Sequence, residues 1–337
     1  MRIEMRPLLT GDIGGTKTRL ALVEVNGSHI VIRRECSYAS QHYDNFETLL
    51  GEFLSSDSNV DDAAFGIAGP VLGGVSQATN LPWRIDAASL RQRFGFLRCQ
   101  LLNDLEATAY GLPALGDADL LTLQAGVPDA LGNAAVIAAG TGLGEAGLYW
   151  DGQFHRPFAT EGGHATFSPR NALEFALLNH LQQRQRVKEH ISWERVVSGM
   201  GLLDLYAFFL DHRHVSTPAW LAEEMRGMGA AAAISAAALA SNDAVCVETM
   251  QLFVNLYGAE AGNLALKVMS RGGLYVGGGI APKILPLLQT GDFLNAFLDK
   301  GRMQSLLATM PVKVILNDRA ALYGPALFAA QLAEKVV

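Results

Sequence analysis

Two stretches of this chain follow one plan. LLTGDIGGTKTRLALVEVNG runs from Leu8 to Gly27, and VIAAGTGLGEAGLYWDG runs from Val136 to Gly152. Each is an apolar strand, a Gly-rich turn containing Gly-Thr, and a second apolar strand. Each then turns at Asn26-Gly27 or Asp151-Gly152, both strong hairpin signals, with the last Gly 12 residues after the Gly of Gly-Thr. A second echo joins LLNDLEATAYG (Leu101–Gly111) to ILNDRAALYG (Ile315–Gly324). Each is a strand end, an Asn-Asp pair and a helix, a junction where Asn or Asp caps helices. A chain that repeats itself in this way folds as two similar halves.

The rest of the chain fits that plan. Apolar strand-like runs (Leu20–Val25, Ala63–Ile67, Leu97–Leu102, Ala134–Ala139, Leu274–Val276, Val312–Leu316) alternate with helix-like runs. The helical ones are Phe46–Leu54, Leu105–Leu112, Asn171–Gln183, Gly201–Leu210, Val247–Met269 and Ala320–Val337, which makes the class α/β. The 337 residues, half of them apolar, suffice for two lobes, with a boundary expected around Leu115–Asp119. A net charge of −7 and no basic run argue against a nucleic-acid partner. Cys36, Cys99 and Cys246 are scattered, so neither a disulfide framework nor a cysteine zinc site is expected. GAAAAISAAALA (Gly229–Ala240) is too short and too Ala-rich to span a bilayer and reads as a packed helix. GDIGG comes too early for a signal peptide, so the expected compartment is the cytoplasm, with no membrane partner.

Glycine hairpins with exposed backbone N–H groups cradle anions. Gly14, Gly15 and Thr16 offer one set of donors, and Gly140, Thr141 and Gly142 a second; two such cradles would grip a polyphosphate from both sides. Asp12 repels phosphate but suits Mg²⁺ or a metal-bound water. A single such hairpin would pass for a tight turn; the repeated Gly-Thr argues otherwise. GLGEAG (Gly142–Gly147) fits a dinucleotide fingerprint, yet LYWDG after it is a strand and a turn, not the required helix. Asp211-His212-Arg213-His214 is expected to be a solvated loop rather than a metal site.

In order along the chain, GDIGGT, LLNDLEATAYG, AAGTGLG, EGGHATF and GGLYVGGGIAPKIL resemble the motifs of bacterial glucokinases, Gram-negative type, in the hexokinase/actin-like ATPase superfamily. The resemblance covers nearly the whole chain. It is weaker to the related repressor/open-reading-frame/kinase family, since no cysteine cluster follows Gly162-Gly163-His164. Lys17 stands where these glucokinases often carry Asn.

The resemblance implies a two-lobed, ribonuclease H-like fold with a repeated mixed sheet and a central cleft. The expected small lobe is 1–117 plus 319–337 and the large lobe 118–318, with the last helix crossing back to the first lobe. It implies ATP and Mg²⁺ as cofactors, glucose as substrate, and a homodimer. A kinase for another hexose or an N-acetyl amino sugar, or a non-catalytic sugar sensor, remains open.

Transfer to a primary alcohol needs a carboxylate to take its proton. From the residues alone Asp104 and Asp318 qualify equally; the resemblance selects Asp104. It places the sugar among Asn80, Asn103, Asp104, Glu161, His164 and Glu194, with Gly69-Pro70 closing one side of the pocket. It assigns nucleotide contacts to Gly11, Asp12, Ile13, Gly14, Gly15 and Thr16, to Gly140, Thr141 and Gly142, and to Gly277, Gly278 and Gly279. A helix beginning near Pro282 would add its N-terminal partial charge.

Overall fold

The computed structural model describes residues 7–54, 60–78, 81–128, 130–184 and 190–334. They form two compact units. The first comprises Met1–Asp119, Arg156–Ala159 and Asn317–Val337; the second comprises Leu120–His155 and Thr160–Leu316.

In the first unit, β1 (Leu8–Ile13), β2 (Lys17–Asn26) and β3 (His29–Ala39) form an antiparallel meander, and β4 (Asp62–Ile67) pairs parallel with β1. A small sheet follows, made of β5 (Val71–Leu72), β6 (Val75–Gln77) and β7 (Arg84–Asp86). β8 (Arg98–Asn103) then lies parallel to β4, giving the order β3-β2-β1-β4-β8. Helices α1 (Phe46–Leu54), α2 (Ala87–Phe94) and α3 (Asp104–Gly111) connect these strands. Every residue of β4 is buried, as expected of a strand covered on both faces. One face packs Leu9, Ile13, Phe46, Phe65 and Trp83; the other packs Leu8, Val23 and Ala64 against the last helix of the chain, Ala320–Glu334. Thr10 Oγ1, fully buried in β1, donates to the Leu322 carbonyl of that helix at 2.7 Å.

That last helix and α3 meet through the two echoed segments. A Cβ on Gly111 would stand 2.1 Å from the Ala320 carbonyl oxygen, and one on Gly324 would stand 1.6 Å from the Ala107 carbonyl oxygen. Aligned on their Tyr-Gly ends, Gly111 matches Gly324 and Ala107 matches Ala320, so the contact is reciprocal. Glycine is required at both positions because only a missing side chain lets the backbones approach so closely.

The second unit repeats the sheet. β9 (Leu120–Gln124) precedes β10 (Ala134–Ala139) and β11 (Leu143–Trp150), an antiparallel pair, followed by β12 (His155–Thr160). Helices α4 (Ala172–Arg184), α5 (Gly199–Arg213), α6 (Ala219–Met228), α7 (Ala230–Leu239) and α8 (Ala244–Val268) intervene before β13 (Gly273–Gly277). Then come α9 (Leu285–Leu288), α10 (Asp292–Leu298), α11 (Gln304–Leu307) and β14 (Val312–Ile315); the last helix, α12, belongs to the first unit. The order is β12-β11-β10-β13-β14-β9, with β10, β13 and β14 parallel. Its first five strands match β3-β2-β1-β4-β8 in order, and β11-β10-β13-β14 match β2-β1-β4-β8 in pairing sense. Helix α8 crosses the core with Phe253 and Tyr257 packed edge-on, and Tyr257 meets Phe293 of α10 in the same way. No single helix among the described residues is long and apolar enough to cross a membrane.

Several expectations change. Polar strand β3 and short strands β9 and β12 carry no strong apolar alternation, and the tertiary ladder alone forms them. Asp211-His212-Arg213 is the last turn of α5 rather than a loop, and His214 caps it in a left-handed conformation (φ 54°). The segment after Gly277–Gly279 is a four-residue 3₁₀ turn, Ala281–Ile284, followed by the single turn of α9. Pro282 and Pro286 interrupt it, so no long helix aims a dipole there.

Candidate active site

The first glycine turn joins β1 to β2. Gly14 N donates to the Lys17 carbonyl at 3.1 Å. Ser40, buried after β3, braces the turn: its Oγ donates to the Gly14 carbonyl at 2.7 Å and its N to the Thr16 carbonyl at 3.0 Å. Thr16 is exposed and Gly14 and Gly15 half-buried at the tip, whereas Gly11 and Ile13 are buried inside the ladder. A Cβ on Gly11 would strike Leu20 and Phe65 side chains at 2.6 and 2.8 Å. Gly11 and Ile13 therefore shape the turn from behind, and the tip residues face outward.

Asp12 neighbours Arg19 of β2, with Nη2 at 3.4 Å from Oδ2. Burial pushes the Asp12 carboxyl above its ordinary value, and the Arg19 guanidinium opposes that shift. Arg19 also donates Nη1 to Asp318 Oδ2 at 2.9 Å and Nη2 to the Asp318 carbonyl. Of the two candidate bases, Asp318 is thus held by a guanidinium of the neighbouring strand.

Asn103 and Asp104 sit where β8 becomes α3. Asn103 is the N-cap, its Oδ1 accepting from Leu105 N at 3.0 Å and Glu106 N at 3.3 Å. Asp104 is thereby the first helical residue, half-buried, with Oδ1 accepting from Leu105 N at 2.9 Å. Asn103 Nδ2 donates to the Gly69 carbonyl at 3.2 Å, tying the Gly69-Pro70 loop to the helix start. Thr79 and Asn80 lie outside the described residues.

In the second unit, Gly140 N donates to the Gly142 carbonyl at 2.9 Å, and Gly199 N donates to the Gly140 carbonyl at 2.8 Å. A Cβ on Gly140 would meet nothing within 4 Å, so this turn is open. Glu194, in a 3₁₀ turn before α5, accepts from Leu143 N at 3.0 Å. Its other oxygen lies 4.0 Å from His164 Nδ1, and His164 Nε2 lies 3.8 Å from Glu161 Oε2. Glu161, His164 and Glu194 are thus gathered beside the second glycine hairpin. The Gly162–His164 turn packs on that hairpin directly, since a Cβ on Gly163 would stand 2.0 Å from the Leu143 carbonyl.

Gly277–Gly279 belongs to the same neighbourhood. Ile280 N donates to the Ala139 carbonyl at 3.2 Å, and Gly278 adopts φ 82° with its Cα against Ala139. Tyr257 Oη accepts from Ala139 N at 3.1 Å and lies 3.3 Å from the Gly277 carbonyl, pinning both turns.

The sequence reading omitted Arg19, Ser40 and His190. His190 Nε2 lies 2.7 Å from the His164 carbonyl and its Nδ1 lies 3.3 Å from Thr166 Oγ1. Arg19 had a signal, a charge at the head of the apolar run LALV; Ser40 and His190 had none. Among the described residues no group of three or more His, Cys, Asp or Glu side chains is placed to hold a metal ion. Asp12 as a lone carboxylate suits a cation whose remaining ligands are phosphate and water, the ordinary state of nucleotide-bound Mg²⁺.

A mixed sheet built twice, each copy with a Gly-Thr hairpin, has the architecture of the actin-like ATPase fold. Comparison narrows it. A model of the family described as Glucokinase matches residues 9–332. The chain is 43% identical over 348 aligned positions to the glucokinase of Synechocystis sp., covering 96% of this chain and 98% of that one. It is 36% identical to the glucokinase of Chromobacterium violaceum, covering 98% and 90%. The solved glucokinase from an Antarctic psychrotroph is 30% identical, covers 97% of this chain and 100% of that one, and superposes with a TM-score of 0.83. A ROK family glucokinase from Streptomyces griseus, solved with glucose and AMPPNP, shares the fold at 22% identity and a TM-score of 0.64. The chain belongs to the glucokinase family.

Proposed function

We propose that this chain transfers the γ-phosphoryl group of ATP to the 6-hydroxyl of D-glucose, in line, with Asp104 as general base. The observation that carries this reading is the Glu194 carboxylate. It accepts from Leu143 N while facing His164, which fastens a sugar-type set (Glu161, His164, Glu194) to a phosphate-type turn. Family membership over residues 9–332 supports the same reading.

Each glucose hydroxyl needs a paired donor and acceptor, because a buried polar group left unmade costs about 1–3 kcal/mol. Glu161 and Glu194 accept, and His164 and Asn103 supply a donor beside an acceptor. Asp104 takes the 6-hydroxyl proton as transfer proceeds. Thr16 and Thr141, with the neighbouring glycine amides, hold phosphate oxygens, and Gly277–Gly279 admit adenosine to the backbone. Mg²⁺, held by Asp12 directly or through water, would neutralise phosphate charge. The reading includes a homodimer acting in the cytoplasm, checked by light scattering of the purified chain.

A coupled assay of ADP release tests the substrate, with Mg-ATP against glucose, mannose, fructose, glucosamine and N-acetylglucosamine. Strong turnover with glucose alone is expected. Turnover confined to another sugar would reassign the pocket, and sugar binding without ADP release would leave a sensor.

A further inference from the structure

Beneath the Gly162–His164 turn lies a pair of buried acids that the phosphoryl-transfer chemistry does not use. Glu145, in β11 just beyond the second glycine hairpin, is 1% exposed, and Glu260 of α8 is fully buried. The two carboxyls are close enough that each shifts the other's proton affinity. The turn rests on Glu145: a Cβ on Gly162 would stand 1.9 Å from its Oε2. Thr160 Oγ1 donates to the Glu145 carbonyl at 3.0 Å and accepts from Gly162 N at 3.2 Å, so backbone and side chain of Glu145 hold the same turn.

Glu260 has donors, Asn263 Nδ2 at 2.8 Å from Oε2 and Lys267 Nζ at 3.4 Å from Oε1. Glu145 Oε1 has none. A proton carried by Glu145 and given toward Glu260 resolves that deficit, since two bare carboxylates in contact in a dry interior repel strongly. Burial, and then the Glu260 charge, push the Glu145 carboxyl up to about 8, with Lys267 opposing. Burial also raises Glu260, against Asn263 and Lys267. The other titratable groups facing the pair are Tyr257 of α8 and Lys300 after α10; Glu161 and His164 stand at the ends of the turn.

We propose that Glu145, protonated and paired with Glu260, is a positioning residue for the turn that carries Glu161 and His164, so that glucose affinity falls when the pair loses its shared proton. The proposal rests on the sugar-binding role given to that turn above. A second charge on Glu145 would draw water or Lys267 toward the pair and lift the turn from its seat.

The test is glucose kinetics of the wild type, Glu145→Gln and Glu145→Ala from pH 7 to pH 9.5. The wild-type KM for glucose should rise about fivefold across that range with kcat changed less than about twofold, the signature of lost binding rather than lost chemistry. Glu145→Gln, a neutral donor of the same shape, should keep a low and flat KM, while Glu145→Ala should be raised at every pH. A glutamine variant that repeats the wild-type rise, or that starts as high as the alanine variant, overturns the proposal. No glucose turnover by the wild type at pH 7 would sink the functional reading itself, and the positioning role with it.

Thermal unfolding reads the pair without substrate. A carboxyl whose folded value lies above its unfolded value gives stability that is full below the unfolded value and is lost as pH rises toward the folded one. The window therefore runs from the ordinary 4.5 to about 8. Glu145→Gln should gain on the wild type in melting temperature between pH 5 and pH 8. An unchanged difference would mean that Glu145 is not held protonated.

Discussion

Asn103-Asp104 with α3, and Asn317-Asp318 with α12, are two copies of one device that do different work. In both, the Asn side chain accepts from a backbone N–H two residues on, Leu105 or Arg319. In both, a terminal glycine lets the helix press on its counterpart, Gly111 on Ala320 and Gly324 on Ala107. The divergence comes from outside either copy. Arg19, projecting from β2, grips Asp318 and leaves Asp104 to a different environment. A repeat can thus share its scaffold while a residue from outside either copy gives one carboxylate a guanidinium partner.

The largest expected break in that comparison is chemical. Asp104→Asn should cut turnover by at least ~10²-fold, the scale of general-base catalysis, with glucose affinity changed little. Asp318→Asn should cost less than about tenfold; steady-state kinetics of the two variants decide between them, and equal losses would return both residues to candidacy. Next comes the helix crossing. Gly111→Ala and Gly324→Ala should each lower stability by about 1–3 kcal/mol or more by overpacking, because the obstacle is backbone carbonyl rather than a movable side chain. Denaturant titration should show the Gly324 change as the worse, given its closer approach. The smallest effect separates the caps. Asn103→Ala should cost about 0.5–2 kcal/mol, as it removes two amide acceptor contacts and the link to Gly69. Asn317→Ala, which removes one amide contact and a bond to Asp119, should cost less in the same titration.

Much of the fold was legible because apolar period and turn chemistry are local. The chain turns near both expected sites, through Gly27-Ser28 with φ 60° at Gly27 and through the four residues 151–154 with φ 101° at Gly152. The limits of α1 agree with the apolar run Phe46–Leu54. The polar edge strand β3 was not legible, because its pairing partner β2 supplies what its own pattern lacks. Glu194 illustrates the same limit at the site. In ISWERVVSG it looks like any solvated helix-start acid, and only the fold brings Leu143 N to its carboxylate.

By itself, the sequence determined the twofold plan, the glycine turns, the Asn-Asp junctions and the family, since each is written in residues adjacent along the chain. Only the tertiary structure decided that Arg19 would reach Asp318, that Glu194 would reach the second hairpin, and that Glu145 and Glu260 would share one buried site. Those outcomes depend on side chains far apart in sequence meeting in a low-dielectric interior, where charge and proton are assigned by whichever groups are present.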